Sequence, residues 1–136
     1  MKLVTQKIIS TILQHAPDVE AIYIFGSTAK NQENKNSDID IAILLPVKQA
    51  QEIGNLYLTD LHSDLIFLLK KEVDLINLRM VSTVFQKEII SKGTVIYCAN
   101  RYNKDEFEML IISFYQTLNF ERKEILEKFY GWWYYC

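Results

Sequence analysis

Two cysteines, two prolines and four glycines in 136 residues leave this chain with little covalent or conformational punctuation. Cys98 stands in an apolar run and Cys136 at the last position, so neither a disulfide framework nor metal-ligand spacing is present, and both read as free thiols. No apolar run approaches the roughly 20 residues a membrane helix needs. Ser10 and Thr11 interrupt Ile8 to Leu13, which therefore does not match a signal peptide. The chain is expected in the cytoplasm, away from any membrane. Basic surplus is lacking too. The net charge is −2, and Lys70-Lys71 and Arg122-Lys123 are the adjacent basic pairs, which read as solvated helix faces. A protein that grips a long phosphate backbone carries a basic stripe, so a polymerase or other direct nucleic-acid binder is not expected. His15 and His62 have no matched partner in the sequence and read as surface or helix-packing residues.

What is present is an ordinary globular balance, 24% charged and 49% hydrophobic residues, in a length that fits one domain over residues 1–136. Val4, Ile8, Ile9, Ile12 and Leu13 recur at helical spacing until Pro17 stops them. A first strand is predicted over Val19 to Phe25, a short helix from Ser27 to about Gln32, and an Asn-rich loop over Asn31 to Ser37. A second strand follows from Asp38 to Leu45 and ends at Pro46. Ile53, Leu56, Leu61, Leu65 and Leu68 predict one helix over Lys48 to Lys71, with Gly54 as its weak point. Val73 to Leu78 reads as a third strand, Ser82 to Ser91 as a helix closed by Gly93, and Thr94 to Ala99 as an edge strand. Phe107, Leu110, Ile111, Phe114, Leu118, Ile125 and Phe129 predict a long last helix from Lys104 to about Tyr130, with a possible break near Asn119. The tail 131–136 carries Trp132, Trp133, Tyr134 and Tyr135 side by side, and burying four rings against either the domain or a partner is favourable.

The chemistry concentrates in Ile22-Tyr23-Ile24-Phe25-Gly26-Ser27-Thr28-Ala29-Lys30 and in Ser37-Asp38-Ile39-Asp40-Ile41-Ala42-Ile43. Side chains alternate on a strand, so Asp38 and Asp40 face one way while Ile39, Ile41 and Ile43 enter a core. Two neighbouring carboxylates repel unless a cation lies between them, which makes the pair a hard-metal site with Mg²⁺ as the natural ion. Gly26 permits a backbone geometry closed to other residues, and Ser27 can cap the following helix. The free N–H groups there would face an anion. A phosphate cradle thus precedes a metal site.

Gly26-Ser27, ten residues, then Asp38-x-Asp40 resembles the signature of the DNA polymerase β-like nucleotidyltransferases. That resemblance implies an α+β fold of two layers: a small mixed sheet with helices packed on one side and a long C-terminal helix. It implies that Gly26 and Ser27 hold a nucleoside triphosphate, and that Asp38, Asp40 and a third carboxylate on a neighbouring strand hold Mg²⁺, two ions in all. Asp74, in the apolar run Val73 to Leu78, supplies the third. Lys30 stands where the family often has Arg, as a cation for a phosphate, while Thr28 replaces another common Arg. Over nearly the whole length the chain is similar to minimal nucleotidyltransferases (MNT), commonly the antitoxin halves of HEPN/MNT pairs. The resemblance then implies transfer of AMP from ATP to a hydroxyl, a tyrosine, on a cognate HEPN ribonuclease toxin, within a hetero-oligomer. No Arg-x₄-His of the toxin type occurs here. Two alternatives stay open: a non-catalytic binding antitoxin with a vestigial nucleotide site, and a small-molecule nucleotidyltransferase of the aminoglycoside type.

Overall fold

The computed structural model describes residues 2–26, 38–56 and 59–130. Helix α1 (Lys2–His15) leads into strand β1 (Ala21–Phe25), and β2 (Ile39–Leu44) returns antiparallel to it. Helices α2 (Val47–Ile53) and α3 (Asp60–Leu69) follow, then β3 (Val73–Asn77), a 3₁₀ turn over Leu78–Met80, α4 (Thr83–Lys92), β4 (Thr94–Cys98) and α5 (Arg101–Tyr130). The sheet order is β3-β2-β1-β4, with β3 parallel to β2 and β4 antiparallel to β1. A parallel neighbour requires a crossover, and α2 with α3 supplies it.

The predicted helix over Lys48 to Lys71 is in fact two. Gly54 adopts a positive φ of 66° and its N–H bonds back to Ala50, ending α2, while Thr59 caps α3 by accepting from the His62 N–H. A residue that can take positive φ is a natural helix stop. In contrast, α5 runs unbroken through Asn119. Ser82 caps α4 and Gly93 closes it, and β4 is an edge strand as predicted. His62 is buried and bonds the Val73 carbonyl at 2.7 Å, and His15 meets Asp64 at 2.6 Å, so both serve helix packing. Cys98 is an exposed free thiol. No described helix is long and apolar enough to cross a membrane.

Alternation divides the core in two. Ile22, Ile24, Ile39, Ile41, Ile43, Val73 and Leu75 point to one side and pack with Ile8 and Ile12 of α1 and Leu61 and Leu65 of α3. Ala21, Tyr23, Ala42 and Leu44 point to the other, where Ile89 of α4 and Phe107 and Ile111 of α5 cover them. Helices therefore flank both faces, which corrects the expectation of one: short residues such as Ala21 and Ala42 leave room for α5 to settle on the second face. That face is pinned by polar contacts. The Tyr23 hydroxyl donates to Glu108 at 2.8 Å, and burial together with this carboxylate raises the phenol far above its usual range.

Candidate active site

The site lies where β1 ends and β2 begins. In the register, Phe25 opposes Asp40 and Asp40 opposes Asp74, so the three form one row across β1, β2 and β3. Residues paired across neighbouring strands point to the same face, which here is the one shared with Ala42 and Ile76. The backbone bond from Ile39 N–H to the Glu72 carbonyl, 3.0 Å, locks β2 against the entry to β3 and fixes this row.

Asp40 and Asp74 meet closely enough to share a hydrogen bond, which requires a proton on one of them. Burial first, then that bond, then the charges of Asp74 and Asp38, push the Asp40 carboxyl up to about 6. Asp38 itself is exposed. Gly26 sits directly on this group. Its φ is 74°, and a methyl added there would come within 2.1 Å of Asp40 Oδ2. Glycine is required at this turn twice over, by backbone sign and by contact with the carboxylate.

Of the predicted site residues, Gly26, Asp40 and Asp74 come together here, with exposed Asp38 near enough for its charge to act on Asp40, whereas Ser27 and Lys30, with the predicted short helix and the Asn-rich loop, lie outside the described residues. So does the aromatic tail 131–136. Among the described residues no three His, Cys, Asp or Glu side chains are gathered as a ready-made metal cage. The donor chemistry of the Asp40–Asp74 pair nevertheless fits a hard cation. Its oxygens are all carboxylate, and they lie close enough to repel when both groups are ionised, which a cation between them would relieve.

Sequence reasoning missed two neighbours. Phe25 meets Phe85 of α4 edge to face, with ring centroids 5.8 Å apart, and forms an aromatic wall beside the carboxyl row. Its position immediately before Gly26 was the available signal. At the far end of β1, buried Glu20 receives Arg79 Nη2 at 2.8 Å and the Asn103 side-chain amide, while Arg79 also donates to the Leu45 carbonyl and lies over the Phe107 ring. Glu20 in an apolar stretch marked that cluster, but nothing local named its partners.

Residues 6–102 match the family described as polymerase beta nucleotidyltransferase. The protein adenylyltransferase MntA of Shewanella oneidensis is 33% identical over 121 residues, 89% of this chain and 84% of its own. A chain from a toxin–antitoxin crystal structure with AMP-PNP superposes with a TM-score of 0.72 at 31% identity, over 91% of this chain and 96% of that one. A chain from the tri-AMPylated Shewanella oneidensis HEPN toxin in complex with its MNT antitoxin does so with a TM-score of 0.68 at 30% identity. That match covers 93% of this chain and 96% of the other.

Proposed function

Because the chain belongs to the polymerase β-like nucleotidyltransferases, we propose that it is an antitoxin that transfers AMP from ATP to a tyrosine hydroxyl of a cognate HEPN ribonuclease toxin, silencing it. The observation that carries the reading is the Asp40–Asp74 carboxyl pair seated against Gly26 in a chain 33% identical to a protein adenylyltransferase. The relative solved with AMP-PNP supports ATP as donor, and the tri-AMPylated toxin supports a protein acceptor.

Each residue then has a part. Asp40 and Asp74, with Asp38 nearby, would hold Mg²⁺, which when bound would neutralise the triphosphate and make the acceptor hydroxyl more acidic. Gly26 and Ser27 present backbone N–H groups to the phosphates, and Lys30 adds a positive charge. The acceptor oxygen forms a bond to the α-phosphorus as the bond to the β-phosphate oxygen breaks. Pyrophosphate leaves, and the hydroxyl proton passes toward the carboxyl pair. Phe25, opposite Asp40 in the register, sets an apolar ring beside that pair.

Incubation of the chain with α-labelled ATP, Mg²⁺ and the purified toxin tests this. Label on a toxin tyrosine with parallel loss of ribonuclease activity is expected. Neutralisation without label would instead establish the non-catalytic antitoxin, and label on an aminoglycoside but not on the toxin would establish the small-molecule enzyme.

A further inference from the structure

Helix α5 runs well past the core it closes. Thirty residues make a rod of about 45 Å, yet its buried residues, Phe107 and Ile111, lie in the first half. From Ile112 to Ile125 every residue except Tyr115 is exposed. The core stripe does not stop at the domain edge. It continues from Phe107 and Ile111 to Phe114, Leu118 and Ile125 in steps of four and three, interrupted once at Glu121, which is the spacing of a seam that packs against another helix. Phe114, Leu118 and Ile125 are 52%, 41% and 55% exposed.

Phe114 also walls a groove of about 370 Å³ bounded by Val47, Met80 and Leu110. Stripe and groove therefore meet at Phe114, and together they expose more apolar area than scattered single hydrophobics do. Arg79 borders it and bonds the Leu45 carbonyl, so it lies toward the end of β2 away from Asp40. The flanking charges, Glu121, Arg122, Lys123 and Glu124, cancel, and contact here is apolar rather than electrostatically steered.

The comparisons separate this helix from the catalytic domain. The family match ends at residue 102, where α5 begins. The match to the toxin–antitoxin complex covers 93% of the chain, too much to leave out the outer half of α5. That half is thus shared with a protein solved beside its toxin and lies beyond what the nucleotidyltransferase family as a whole requires. Resting on the antitoxin reading, we infer that the outer half of α5 and the groove at Phe114 dock the cognate toxin, taking an apolar helical ridge of that protein.

Leu118→Glu and Ile125→Glu, each in the full chain, test this by calorimetric titration of the toxin. Both are expected to weaken binding by about 30-fold or more, with the thermal midpoint and ATP binding of the isolated chain unchanged. Gln116→Glu, on the opposite side of α5, should bind as the unmodified chain does. If the unmodified chain neither binds nor modifies the toxin, the antitoxin reading itself fails. If it does and both variants bind equally well, the docking surface alone is refuted. Sedimentation showing that the variants split a dimer of this chain while toxin binding persists would assign the surface to a second copy and overturn the inference. A lowered thermal midpoint of the isolated chain would show that the chain covers the stripe itself, with the same consequence.

Discussion

Glu20 and Asp40 are acids at opposite ends of the β1 strand pairing, and their surroundings differ in kind. Buried Glu20 faces the Arg79 guanidinium and the Asn103 amide. Asp40 faces two more acids, and burial first, then those neighbours, push its carboxyl up to about 6. A buried charge with its counter-charge in place is part of the scaffold, because removing either partner strands the other. An acid packed against acids destabilises the isolated fold and is retained only where something else gains from it. The contrast separates structure from chemistry without reference to any relative.

The sharpest way to break it is to remove the functional acid. Asp40→Ala is expected to lower AMP transfer by about 10³-fold or more while the fold persists, measured as labelled AMP incorporated per minute alongside circular dichroism. Wild-type transfer would end the assignment of Asp40. Gly26→Ala should come close to that loss, because the methyl would displace the Asp40 carboxylate and the positive φ disfavours any side chain. Retained transfer in that variant would mean that the turn and the carboxylate move independently.

At the scaffold end, Glu20→Ala should cost about 3 kcal/mol of stability by leaving the partly buried Arg79 beside no carboxylate, read from urea unfolding. A change below about 0.5 kcal/mol would show that Arg79 is satisfied by the Leu45 carbonyl and Phe107 alone.

The smallest effect has the opposite sign. The Asp40 carboxyl titrates near 6 in the fold and near the usual 3.9 when unfolded. Its contribution to stability is therefore complete below about pH 4 and is lost as the pH rises through 6. In chelator, Asp40→Asn should thus be more stable than the unmodified chain at pH 7, by about 1 kcal/mol once solvent screening of this half-buried group is discounted. The advantage should vanish near pH 4, and Mg²⁺ should raise the thermal midpoint of the unmodified chain but not of the variant. Equal stability of the two proteins across that range would remove the electrostatic part of the comparison.

Much of this was legible before any coordinates. Ile39, Ile41 and Ile43 enter the first core as their alternation requires, and Ser82 and Gly93 close α4 where capping chemistry puts them. Gly26, Asp38 and Asp40 stand out by their order in the chain, and Asp74 joins them through the resemblance to the nucleotidyltransferases. The Lys48 to Lys71 segment was misjudged because an apolar stripe continues across Gly54 in sequence, whereas the backbone there turns to positive φ. The second covered face was missed because α5 reads as one amphipathic rod. Nothing in its periodicity says that Phe107 is buried while Phe114 is left 52% exposed.

By itself the sequence determined which residues share a face and where glycine and capping residues punctuate the elements, because side-chain period and backbone sterics act over a few residues. Tertiary structure alone decided that Asp74 stands beside Asp40 and that Arg79 and Asn103 close on Glu20. These contacts join residues far apart in the chain. Their register depends on closing the α2–α3 crossover and seating α5, which the packing of the whole core selects.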